Sequence, residues 1–124
     1  MTSRTAPSAL DDTLAALADP TRRAIVERLT LGEARVTALA EPFPISLNAV
    51  SKHIRMLERA GLVVRRRVGR EHLLSLEPSP LDDATAWIEA QRRVWTWRLE
   101  ALDAVLQAED RAQARDRRTK GRSR

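Results

Sequence analysis

Apolar residues return along this chain at helical spacing, then in two short β-prone runs, then at helical spacing again. Met1 to Ala6 carries no such pattern, and residues 1–7 are expected to form a loose arm. Leu10, Leu14 and Leu17 mark a short first helix. Asp19-Pro20 reads as an N-cap followed by proline at the first helical position, where its missing N–H costs nothing. Ile25, Val26 and Leu29 then predict a second helix from Pro20 to Leu31, ending near Gly32. Thr37 is the expected cap of a brief helix containing Leu39 and Ala40, which Pro42 and Pro44 terminate. After a turn over Glu41 to Ile45, Ser46 caps a helix that runs to about Ala60. Val50, Ile54 and Leu57 line one face of it, and Asn48, Ser51, Lys52, Arg55 and Arg59 line the others. Gly61 suits the left-handed position after this helix, with Leu62 reaching back to Leu57.

Val63 to Val68 and Glu71 to Leu76 read as strands joined at Gly69-Arg70 into a hairpin, with arginine at 65, 66 and 67 on one strand. Pro78 and Pro80 break the chain. From Leu81 to Gln107, Ile88, Trp95, Leu99, Leu102 and Leu106 predict a helix, roughly 40 Å long at about 1.5 Å per residue. A core of this size cannot cover so long an apolar stripe, and Trp87, Trp95 and Trp97 widen it, so a second subunit is expected to do so. Residues 108–124 are polar and arginine-rich and are expected to be a disordered basic tail. The expected organisation is therefore the arm, one domain over residues 8–107, and the tail.

Charge sharpens this picture. The net charge is +5 and the isoelectric point near 11.1, and the basic residues gather at Lys52 to Arg70 and Arg111 to Arg124, while Leu81 to Glu89 is acidic. Such clustering fits a polyanionic partner. The chain has no cysteine, which excludes disulfides, thiolate metal sites and a cysteine nucleophile. It has no run of eighteen apolar residues and no basic-then-apolar leader, so a cytoplasmic protein without a membrane span is expected.

The order of helix, helix, short helix, turn, capped helix, basic hairpin and long helix predicts a mainly α fold with a small β-hairpin: a winged helix-turn-helix. In that layout the helix Ser46–Ala60 enters the major groove, where Asn48, Ser51 and Lys52 on its early turns read base edges and Arg55 meets phosphate. The wing arginines Arg65, Arg66, Arg67 and Arg70 reach the flanking backbone or a narrow minor groove. A bland reading competes with each of these. A charged helix face is often merely solvated, arginines also protect exposed strand edges, and a basic tail often serves solubility. The hairpin directly after the amphipathic helix tips the balance toward duplex DNA. His53 and His72 lie on different elements and make no metal pair, with His53 read as a packing or DNA-facing residue; Asp11-Asp12 and Asp82-Asp83 suit helix starts. No nucleophile, base and orienting group assemble and no phosphate loop is present, so neither enzyme activity nor a cofactor is expected.

Three segments carry a resemblance: LADPTRRAIVERL at Leu17–Leu29, ISLNAVSKHIRMLERAGLV at Ile45–Val63, and RRRVGREHLLSL at Arg65–Leu76. Together they resemble the ArsR-type winged-helix repressors over roughly Leu10 to Leu106, with AVSKHIRMLERAGLV looking like the family's recognition helix and the start of its wing. The resemblance implies a homodimer joined mainly through the first and last helices, reading an imperfect inverted repeat in promoter DNA with half-sites about 34 Å apart. By position it puts DNA contacts on Ser46, Asn48, Ala49, Ser51, Lys52 and Arg55 in the helix and on Arg67 and Arg70 in the wing, with Arg65 and Arg66 matched more loosely. The chain departs from the family's metal sensors. Val36 to Ala40 holds no cysteine and the last helix no histidine, so the implied branch is metal-independent, its switch being an unidentified small-molecule effector or protein level alone. The rival reading is a winged helix used as a protein-interaction module, with Trp87, Trp95 and Trp97 as its partner surface.

Overall fold

A computed structural model describes residues 8–122; the expected N-terminal arm lies outside them. The elements are α1 (Ala9–Leu17), α2 (Pro20–Leu29), β1 (Ala34–Arg35), α3 (Val36–Ala40), α4 (Leu47–Arg59), β2 (Val63–Val68), β3 (Glu71–Leu76) and α5 (Ser79–Arg122). This is the mainly helical winged helix-turn-helix layout that the hydrophobic pattern predicts. The three strands form one antiparallel sheet in the order β1-β3-β2.

Local chemistry sets the helix ends. Ser8 accepts a hydrogen bond from the Asp11 N–H while the Asp11 carboxylate accepts one from the Ser8 N–H, each at 3.1 Å, so α1 opens with a reciprocal capping box. Asp19 caps α2 as expected, accepting from the Arg22 N–H at 3.0 Å. Helix α2 stops at Leu29 instead of Leu31, because Leu31 and Gly32 turn their N–H groups to the carbonyls of Arg28 and Leu29, three residues back. Thr37 is not the cap of α3. The cap position is Arg35, with no side-chain bond, because Arg35 is already committed to the β1–β3 ladder opposite Leu73.

Ser46 caps α4, its hydroxyl accepting from the Ala49 N–H at 3.1 Å. At the other end Gly61 takes φ +76°. Its N–H reaches the Glu58 carbonyl and that of Leu62 the Leu57 carbonyl, both at 3.0 Å, which is the Schellman closure expected from the sequence. In the β2–β3 hairpin Val68 pairs with Glu71 across Gly69-Arg70, and only Gly69 of the two has a positive φ, the mark of a type II′ turn.

The core lies where α2, α3, α4 and the sheet meet. Ile25, Val50, Ile54, Leu57, Leu62 and Leu74 are fully buried there, with Leu39 nearly so. Thr13 is the buried polar residue of α1, and its hydroxyl is satisfied by the Ala9 carbonyl at 3.0 Å. The chain divides into two compact units at Ala86/Trp87. The second is the rest of α5, and it is helical well beyond Gln107, where the sequence pattern had placed the start of a disordered tail. Alanine, glutamine and arginine are strong helix formers and no proline interrupts them, so loss of the apolar stripe after Leu106 ends a packing face without ending the helix. Among the described residues no helix is long and apolar enough to cross a membrane.

Candidate nucleic-acid interface

Helix α4 has two unlike sides. At about 100° per residue, Val50, Ile54 and Leu57 fall together on the buried side, and Asn48, Lys52 and Arg55 fall together roughly opposite. All three of the latter are exposed, as is Ser46 at the N-cap, while Ala49 and Ser51 are half-buried at the flanks. The structure thus brings Asn48, Lys52 and Arg55 into one polar, cationic stripe. Ser46 keeps its hydroxyl proton free because its oxygen serves as the cap acceptor. Neither Lys52 nor Arg55 has an ion-pair partner among the described residues.

Register sorts the wing arginines into two kinds. Residues opposed in an antiparallel pair share a face, so Val63, Arg65 and Arg67 stand with Leu76, Leu74 and His72 on the side that continues the core. Arg65 reaches α4 and donates two hydrogen bonds to the Glu58 carboxylate, at 2.9 and 3.2 Å, which pushes the guanidinium pKa up from its ordinary value. On the other face Arg66 pairs with Glu33 at 2.7 Å. Arg67 has no carboxylate partner among the described residues; its Nε–H donates to the Gly69 carbonyl at 3.0 Å, which steadies it at the hairpin tip. Arg70, in the turn, likewise has no ion pair among the described residues. Two of the four wing charges are therefore neutralised within the fold, and two are available.

The short strand β1 adds residues that the sequence pattern did not single out as DNA-facing. It carries Arg35 to the wing, where Arg35 pairs with Glu71 at 3.0 Å. Arg35, Thr37, Arg70 and His72 line a cleft of about 250 Å³ between the start of α3 and the wing tip. A two-residue strand has no periodicity, so nothing in the sequence announces this meeting. At the start of α4, Ile45 and Leu47 are large apolar side chains left exposed beside Ser46 and Asn48.

His53 faces inward. Its Nδ1 lies 3.3 Å from Arg22 Nη1 and 3.7 Å from Asp19 Oδ2, and it is half-buried against α2, so it packs α4 onto the fold. The same Arg22 guanidinium donates to the Ala16 and Ala15 carbonyls at 2.8 and 3.1 Å, tying the end of α1 to α2 and α4. The Arg22 backbone N–H holds the Asp19 carboxyl below its ordinary range. Among the described residues no group of three or more His, Asp or Glu is placed to hold a metal ion.

A family described as a helix-turn-helix domain matches residues 17–66, which run from the last residue of α1 to the fourth residue of β2. The chain is 39% identical over 94 residues to the HTH-type transcriptional regulator Rv2034 of Mycobacterium tuberculosis, covering 76% of this chain and 85% of that one. It is 32% identical over 79 residues to the transcriptional repressor SdpR of Bacillus subtilis, covering 64% of this chain and 88% of the other. Among solved structures, the ArsR family transcriptional regulator RHA00566 superposes with a TM-score of 0.69 at 38% identity, over 72% of this chain and 98% of that one.

Proposed function

The chain belongs to the ArsR family of helix-turn-helix transcriptional regulators, and on that premise we propose that it is a homodimeric repressor reading an inverted-repeat operator in duplex DNA. The family's members are DNA-binding regulators and not enzymes. The observation that carries the finer reading is the two-sided α4, anchored by three fully buried apolar residues and presenting Asn48, Lys52 and Arg55 outward, with the basic wing immediately after it.

Asn48, Ser51 and Lys52 occupy the early turns of α4 and read base edges, where a bidentate amide on adenine or an ammonium on guanine discriminates between pairs. Ser46 and Ala49 approach the groove at the helix start. Arg55, Arg67 and Arg70 meet phosphates, setting register and affinity more than sequence choice. Dimerisation uses α1 and α5. Between Trp87 and Leu106 the large apolar side chains of α5 are 45 to 68% exposed, an apolar surface that a second copy would remove from water.

Fluorescence anisotropy against the DNA upstream of the chain's own coding sequence, with scrambled DNA as control, tests this reading. Preferential, salt-sensitive binding by a dimer is expected. Absence of binding to any upstream fragment would overturn it and favour the protein-interaction reading built on Trp87, Trp95 and Trp97.

A further inference from the structure

The last four turns of α5 carry charge in an arrangement that the helix-turn-helix reading does not use. Arg111, Arg115 and Arg118 recur at i, i+4 and i+7, which puts three guanidiniums on one face, where they line a shallow depression around Ala114. All three are exposed, and none has an ion-pair partner among the described residues. The carboxylates of this segment lie elsewhere on the helix. Asp116 takes Lys120 at 3.5 Å, and at about 100° per residue Glu109 and Asp116 fall on the far side from the stripe, with Asp110 about a quarter-turn away.

The same count places the apolar stripe of Ile88, Trp95, Leu99, Leu102 and Leu106 roughly on the opposite side of the helix from the arginines. A subunit covering the apolar stripe leaves the arginines open. Their chemistry favours a regularly charged polyanion. From Arg111 to Arg118 the helix rises about 10 Å, a length over which one strand presents about four successive phosphates at about 3.4 Å of axial rise each, so each of the three guanidiniums has a phosphate within its reach. A lipid surface fits less well, since residues 108–122 offer no apolar side chain larger than alanine to enter it.

We propose that Arg111, Arg115 and Arg118 form a second, sequence-independent seat for the backbone of duplex DNA, separate from α4 and the wing. The proposal rests on the reading of the chain as a duplex-DNA binder. Its effect is to raise affinity for any duplex, without changing discrimination between sequences.

The test is a salt titration of the full chain and of R111Q/R115Q/R118Q on a random-sequence duplex of about 40 base pairs. Glutamine and arginine have similar helix propensity, so far-UV circular dichroism should be unchanged. With about 0.9 units of salt slope per phosphate, the variant's plot of log K against log salt should be shallower by about 2.7 units per chain. Between about 50 and 200 mM salt the wild type should then lose roughly 40-fold more affinity than the variant for each chain that engages the duplex. The triple lysine variant should restore the slope. An unchanged slope in the glutamine variant, with a reduced slope in K52A/R67A, would overturn this proposal alone. No duplex binding by the wild type would overturn the underlying reading. Charge-dependent capture on phosphatidylglycerol vesicles, with an unchanged slope on DNA, would reassign the stripe to a lipid surface.

Discussion

Arg67 and Arg65 sit two residues apart on the same face of β2, yet they should behave differently when removed. Arg65 donates twice to Glu58, whereas Arg67 donates to the Gly69 carbonyl and has no carboxylate partner among the described residues. Arg67→Ala deletes an unpaired charge at the wing tip. If that charge meets one phosphate, the salt slope falls by about 0.9 units per copy, which over about 50 to 200 mM salt is a change of about 3.5-fold per copy and about 12-fold for a dimer. The loss should be equal on operator and scrambled DNA, because a phosphate carries no sequence. The matched control is Glu58→Gln with Arg65→Gln. It removes both charges of the pair, leaves the net charge of the protein unchanged and should leave the slope unchanged, at a stability cost of about 0–1 kcal/mol for a partly exposed surface pair. Anisotropy titrations at four or five salt concentrations read both variants. Equal slope losses in the two, or no loss with Arg67→Ala, would refute the division of the wing into spent and available arginines.

Three further outcomes follow from other parts of the fold. Gly61→Ala should destabilise the protein by about 1–2 kcal/mol in urea unfolding; the cost is conformational, since an added Cβ would meet Pro80 Cγ at an ordinary 3.7 Å while the backbone holds φ +76°. Asn48→Ala should cost about 1–3 kcal/mol on the specific site and little on scrambled DNA, and equal losses on both would move Asn48 to the phosphate-contacting group. Leu102→Glu should yield monomers by sedimentation and abolish operator binding; an unchanged dimer would exclude the apolar stripe of α5 from the interface.

The order of elements was legible because each carries its own signal. The Asp19-Pro20 start, the Ser46 cap and the Gly61 closure depend on side chains or glycine within a few residues of the feature they create, and the structure has all three. The misses come from two sources. Strand β1 and the uncapped start of α3 exist only because Ala34 and Arg35 pair with Leu74 and Leu73, some forty residues on. No local pattern encodes that pairing. The helical residues 108–122 were missed for the opposite reason: their sequence has the propensity for helix, but a reading that equates the end of an apolar stripe with the end of order overlooks it.

The candidate site shows a related limit. A run of three arginines on one strand reads as three equivalent cations, and a wing followed by a polyanion needs no more explanation than that. What differentiates them is the alternation of the strand combined with two carboxylates from distant elements, Glu58 on α4 and Glu33 before β1. Alternation puts Arg65 on the α4 side and Arg66 on the other, so each meets a different carboxylate, and only Arg67 runs past both. The pairs also have a structural effect, because they tie the base of the wing to α4 on one face and to the β1 approach on the other. A wing tethered in this way and charged at its tip can hold Arg67 and Arg70 at a fixed offset from the stripe of Asn48, Lys52 and Arg55. Fixed spacing between groove-reading and backbone-holding groups is what converts a basic surface into one that selects a register on DNA.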